Sequence, residues 1–132
     1  MYWIDLIVVL AAAQFIAFGI LVSKARTKYG VKAPAMAGHE MFERAQRVHL
    51  NTLELLVIFF PALLAATRYW RPEWVALTGA VYLVGRLVYQ RAYMKDPETR
   101  EIGFGLSIAP IVILLLVSLI GAALACLKGA SL

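Results

Sequence analysis

Four long apolar runs separated by short polar stretches set the layout of this chain. The first extends from about Ile4 to Val22 with only Asp5 and Gln14 as strongly polar members, close to the roughly 20 apolar residues that a membrane-crossing helix needs. Ser23–Glu40 follows, holding Lys24, Arg26, Lys28 and Lys32 together with Gly30, Pro34 and Gly38, and its breakers and charges predict a loop. The apolar run Leu50–Thr67 is preceded by a charged helical stretch, Met41–His49, and the two read as one long helix emerging from a bilayer. Arg68–Pro72 is a tight aromatic and basic turn of the headgroup type, after which Glu73–Tyr89 reads as a third span. Asp96-Pro97-Glu98 reads as a helix start, with an aspartate cap and proline in the first turn, ahead of a fourth span from Ile102 to Leu127. Pro61 and Pro110 fall inside spans two and four, where each removes a backbone hydrogen bond and predicts a kink without ending the span. The expectation is an all-α, integral membrane four-helix bundle forming one domain over residues 1–132, with spans 4–22, 50–67, 73–89 and 102–127.

Composition removes the alternatives. Of 132 residues, 62% are hydrophobic and 16% charged, the mean hydropathy is +0.77, and a soluble domain holds only roughly 45–50% apolar residues. Four spans leave no room for a separate soluble domain, which excludes a Rossmann unit, a barrel enzyme and a globular nucleic-acid reader. The net charge of +5 is then a matter of orientation. Lys24, Arg26, Lys28, Lys32, Arg44, Arg47, Arg86, Arg91, Lys95 and Arg100 fall on one side of a four-span layout, and only Arg68, Arg71 and Lys128 on the other. The positive-inside rule puts the first group in the cytoplasm and both termini outside. No basic residue precedes Ile4, so the first span is expected to be retained rather than cleaved as a signal peptide. Cys126, the one cysteine, lies in an apolar run and reads as a buried, inert thiol.

Several polar residues sit where a bilayer makes them costly. Arg47, Asn51 and Glu54 stand at i, i+4 and i+7 on one helical stripe, with Glu43 and Arg44 a turn earlier. Arg86, Tyr89 and Tyr93 repeat the spacing in span three, and Arg100 follows at the start of helix four. An ionisable group such as Glu54, four residues into an apolar run, normally faces a bundle interior or a wet cavity with a partner. Two readings stay open at this level. Glu54 pairs with an arginine to hold the bundle while the tyrosines form an interfacial belt, or the set forms a polar pocket for a small anionic peptide or nucleotide. No metal is expected, because His39 and His49 lack histidine or cysteine partners at ligand spacing. Ser107 and Ser118 show no triad partners.

Phe42-Glu43-Arg44, then Arg47, Asn51, Glu54 and Pro61, then Arg86, Tyr89, Tyr93 and Arg100 together resemble the MAPEG family, the membrane-associated proteins in eicosanoid and glutathione metabolism, in its microsomal glutathione transferase-like form. The resemblance runs from about Ser23 through span four. It implies a homotrimer of four-helix subunits with one glutathione per subunit interface near the cytoplasmic side. Residue by residue it implies that Arg26, Arg47, Asn51, Glu54, Tyr89 and Tyr93 contact glutathione, and that Arg100 sits beside its sulfur. A guanidinium there raises the thiolate fraction of a thiol that otherwise titrates near pH 8.5. Leu55 and Thr27 stand where the leukotriene-forming branch has tyrosine and a second arginine, and His49 replaces a glutamine. These departures favour a broader glutathione transferase over a dedicated leukotriene synthase.

The expected activity is conjugation of glutathione to lipophilic electrophiles that arrive from membrane lipid, with lipid hydroperoxide reduction as a further activity. The competing expectation is a noncatalytic lipid-binding or scaffolding member of the family. A proton-coupled exporter would need a carboxylate deep in span one, where Asp5 lies only at the edge. The tail Lys128–Leu132 has no dibasic retrieval signal, so a bacterial inner membrane is expected, the endoplasmic reticulum giving the same orientation.

Overall fold

The computed structural model describes residues 2–130. Met1, Ser131 and Leu132, which complete the expected 1–132 unit and its polar tail, lie outside the described residues. Four helices, α1 (Tyr2–Tyr29), α2 (Glu40–Ala66), α3 (Pro72–Lys95) and α4 (Glu101–Ala130), pack side by side, with one 3-10 turn, Pro97–Thr99, ahead of α4. Short connections make successive helices antiparallel neighbours. The C-terminal ends of α1 and α3 and the N-terminal ends of α2 and α4 therefore share one end of the bundle.

Three stretches, Tyr2–Tyr29, Glu40–Ala66 and Pro97–Gly129, are long and apolar enough to cross a membrane. At 24 residues α3 is about 36 Å long, but Glu73, Arg86, Gln90 and Arg91 make it more polar. The bundle's outer surface is apolar, with Val57, Leu119 and Leu127 about two-thirds exposed at 67%, 66% and 69%, as a lipid-facing helix requires. Inside, Ile4, Ile7 and Ala11 of α1 meet Phe59 and Leu63 of α2, Val75 and Tyr82 of α3, and Ile111 and Leu114 of α4. The Phe59 and Tyr82 rings stack at 3.9 Å.

Local chemistry explains where the helices end, and in two places it moves the expected boundary. The segment expected to be a loop from Ser23 is helical to Tyr29. Gly30, at φ +69°, takes the left-handed conformation that ends the helix, and Val31 N–H donates back to the Arg26 carbonyl at 3.0 Å, closing a Schellman cap. Lys24, Arg26 and Lys28 therefore ride on a helix that runs past the apolar stretch. Asp96 is fully extended (φ −159°, ψ 111°), a backbone region favoured before proline. Its carboxylate accepts from Glu98 N–H at 3.1 Å, so the expected aspartate cap exists, but on the 3-10 turn, with α4 beginning only at Glu101.

α2 starts at His39, whose Nδ1 accepts from Met41 N–H at 3.1 Å, with Glu40 and Glu43 in the first turn where the helix dipole favours acids. α3 begins with Pro72 at its first position. Pro61 and Pro110 lie inside α2 and α4 without ending them.

Two glycines bring α3 against α4. A Cβ on Gly85 would lie 2.6 Å from the Leu106 carbonyl carbon, and one on Gly103 would overlap the Tyr89 backbone nitrogen. Small residues let helix backbones approach this closely in a membrane. The reading of Cys126 as buried is corrected: it is exposed on α4. An apolar run implies burial against protein only in water, and in a bilayer the same run faces lipid.

Candidate functional site

At the shared end of the bundle, α2, α3 and α4 enclose a cavity of about 530 Å³ lined by Arg47, Leu50, Asn51, Glu54, Tyr89, Tyr93, Arg100 and Phe104, within the roughly 300–1,000 Å³ of small-molecule sites. Arg47, Asn51 and Glu54 come from one stripe of α2, Tyr89 and Tyr93 from the last turns of α3, and Arg100 from the junction of the 3-10 turn with α4. Arg100 is fixed locally, its Nη1 donating to the Pro97 carbonyl at 2.8 Å. Arg47, Glu54 and Arg100 are exposed at the mouth, whereas Tyr89 is buried and packs with Tyr93 at 5.6 Å and Phe104 at 6.4 Å between ring centroids.

Beneath the cavity lies Arg86, fully buried. Its Nε donates to Ser107 Oγ at 2.9 Å, and its Nη1 donates to Asn51 Oδ1 at 2.8 Å and to Thr52 Oγ1 at 3.2 Å. Its guanidinium carbon stands 4.3 Å from the centre of the Tyr89 ring. The ion pairs among the described residues are Arg44–Glu40 at 2.6 Å and Arg71–Glu73 at 3.6 Å. The arginine–Glu54 pair that the bundle-holding reading required is not among them. Arg44 has a structural role instead, its Nη1 donating to the Met94 and Lys95 carbonyls at 2.9 and 3.1 Å and so closing the C-terminal end of α3.

Six of the seven residues expected at the site thus meet in one cavity, and Arg26 does not. Its guanidinium lies over the Phe42 ring at 4.6 Å and its Nη1 donates to the Ala35 carbonyl at 2.8 Å. Thr27 is exposed on α1, Leu55 is buried, and His49 stacks on Phe15 at 4.3 Å. Sequence reasoning passed over Leu50 and Phe104 as ordinary apolar residues. Their spacing would have found them, since Leu50 is three residues beyond Arg47 and Phe104 four beyond Arg100. Among the described residues no cluster of three or more histidine, cysteine or acidic groups has metal-site geometry.

The cavity offers two guanidinium groups, one carboxylate, an amide and two phenols. It suits a small zwitterionic ligand with more negative than positive charge. A bundle of apolar-surfaced helices with such a cavity at one end defines a class of helical membrane protein with a polar ligand site. The chain belongs to the MAPEG family, whose sequence profile matches residues 4–120. An uncharacterized protein of Synechocystis sp. is 42% identical over 118 residues, 89% of this chain and 86% of its own. Microsomal glutathione S-transferase 2 of Homo sapiens is 36% identical over 115 residues, 87% of this chain and 78% of its own. The Bos taurus protein of the same name is 34% identical over 113 residues, with 86% and 77% covered.

Proposed function

We propose that this protein is a membrane-bound glutathione transferase that activates the thiol of glutathione for attack on lipophilic electrophiles. The observation that carries the reading is the convergence of Arg47, Asn51, Glu54, Tyr89, Tyr93 and Arg100 on a single cavity. The names of the human and bovine relatives support it. Glutathione has two carboxylates, an ammonium and a thiol. Arg47 grips a carboxylate, Glu54 accepts from the ammonium, and Asn51 and the tyrosines hold the peptide between them. Arg100 meets the sulfur and favours its ionised form, the proton passing to solvent. The sulfur lone pair then forms the C–S bond while the leaving group departs with its electron pair, or the conjugate takes up a proton. With a lipid hydroperoxide the same thiolate attacks the terminal peroxide oxygen, the O–O bond breaks and the alkoxide takes up a proton to leave as the lipid alcohol, and a second glutathione displaces water from the resulting sulfenic acid to give glutathione disulfide.

The reading includes a homotrimer, with α3 crossing the bilayer as the third of four spans and the cavity facing the cytoplasm of a bacterial inner membrane. In that assembly Arg26, which does not line the cavity of its own chain, contributes at the interface with a neighbouring copy. Isothermal titration of glutathione into detergent-purified protein tests the proposal. Saturable binding is expected, together with turnover of a lipophilic aryl halide. Absence of binding would replace it with the noncatalytic, lipid-binding reading.

A further inference from the structure

Arg86 is a cation without a counter-ion among the described residues. It is fully buried at mid-helix, its hydrogen-bond acceptors are the neutral side chains of Ser107, Asn51 and Thr52, and its Nη2 has no partner among the described residues. Neither of the ion pairs described above includes it. Burying such a charge is costly, so its surroundings should show what it serves: the neutral phenol of Tyr82 lies one turn away on the same helix, and two of its other neighbours, Asn51 and Tyr89, line the cavity.

Arginine can only donate. The Asn51 atom facing it must therefore be the carbonyl oxygen, which leaves the amide N–H groups as what Asn51 can turn toward a ligand. The guanidinium set against the Tyr89 ring at 4.3 Å draws on the ring's electrons and makes the phenol a better donor. Both side chains are thereby set to donate, with a positive charge one side chain behind them.

We infer that Arg86 is a positioning residue that makes the Asn51–Tyr89 wall of the cavity a receptor for a deprotonated acceptor group, a carboxylate or a thiolate. This rests on the glutathione reading, and it names which part of the cavity discriminates and by what means. Arg86 touches no ligand itself. It acts through Asn51 and Tyr89.

The test measures the binding of three ligands to the parent and to Arg86→Gln: glutathione, S-methylglutathione, in which the thiolate is blocked, and glutathione diethyl ester, in which both carboxylates are blocked. Arg86→Gln is expected to weaken glutathione binding by at least about tenfold, the lower end for a charge-assisted hydrogen bond. The penalty should be unequal across the ligands. If the acceptor is a carboxylate, the loss persists for S-methylglutathione and shrinks for the ester. If it is the thiolate, the loss persists for the ester and shrinks for S-methylglutathione. Equal losses for all three, or none, overturn the inference, because a residue that only supports the fold cannot tell the ligands apart. Should Arg86→Gln not fold, Arg86→Lys keeps the charge without the guanidinium fork, and a smaller loss with the same inequality is expected, equal losses again being fatal. A parent protein that binds no glutathione would bring down the functional reading and this inference together, whereas a binding parent with an indifferent variant brings down the inference alone.

Discussion

Arg100 lines the cavity while Arg86 is buried against the Tyr89 ring, and different work is proposed for each. Arg100 is exposed, held by the Pro97 carbonyl at 2.8 Å, and lines the cavity beside Tyr89 and Tyr93. If it stabilises a thiolate, Arg100→Ala should leave glutathione affinity within a few-fold of the parent while lowering turnover at neutral pH and moving the bound thiol's ultraviolet titration to higher pH. One pKa unit corresponds to ~1.4 kcal/mol, and Arg100→Lys should recover part of the shift. Tyr93→Phe is the comparison: loss of the thiolate signal there, with Arg100→Ala unaffected, would transfer the role to the phenol. Glu54→Ala and Arg47→Ala should instead weaken glutathione binding by ~1.5–3 kcal/mol, the range for hydrogen bonds to charged groups. Unchanged affinity in well-folded, monodisperse variants would remove both residues from the site. The Arg47, Asn51 and Glu54 stripe was legible because helical spacing alone puts those residues on one face. The place of Arg86 was not legible, since spacing gives its helix face but not whether it lines a cavity or lies beneath one.

At the scale of elements, the α3–α4 crossing sets the width of the cavity. Gly103 lies three residues beyond Arg100 and leaves room for the Tyr89 backbone, while a Cβ on Gly105, two residues on, would meet nothing within 4 Å. Gly103→Ala should therefore force α4 away from α3, at the ~1–3 kcal/mol typical of overpacking, and displace Arg100 and Phe104 from the tyrosines. Gly105→Ala, on the same helix, should cost nothing measurable. Thermal unfolding in detergent distinguishes them, and equal melting temperatures would mean that the crossing is not set by Gly103. The helices themselves were legible as apolar runs. Their ends were less so: charge marked Ser23 as the start of a loop, whereas the chain turns at Gly30, where a positive φ and the Val31–Arg26 bond close the cap. Hydropathy reports where a helix leaves the apolar phase and says little about where its hydrogen bonds stop. Cys126 was misjudged for a related reason, because an apolar helix in lipid has an outer face as apolar as its inner one.

For the whole molecule, sidedness has a physical handle. The end that holds the cavity also carries Lys24, Arg26, Lys28, Lys32, Arg44, Arg47, Arg91, Lys95 and Arg100, and the other end only Arg68, Arg71 and Lys128. An asymmetry of this kind sets orientation during insertion. The cavity should therefore face the cytoplasm, where glutathione is supplied. Cys126, exposed near the C-terminal end of α4, must first be changed to serine so that it does not react. In that background single cysteines at Lys28 and Lys95 should be labelled by a membrane-impermeant maleimide only after the membrane is opened, and cysteines at Arg71 or Lys128 in intact cells. Restoring Cys126 provides an internal check, because it lies at the same end as Lys128 and should never follow the pattern of Lys28. If α3 crosses the bilayer, labels at Arg71 and Lys95 must fall on opposite sides; finding them on one side would leave three spans and separate the α3 tyrosines from the topology that the proposed activity needs. If both pairs report the reverse orientation, the cavity opens away from the cytoplasm, and the glutathione transferase reading loses its substrate.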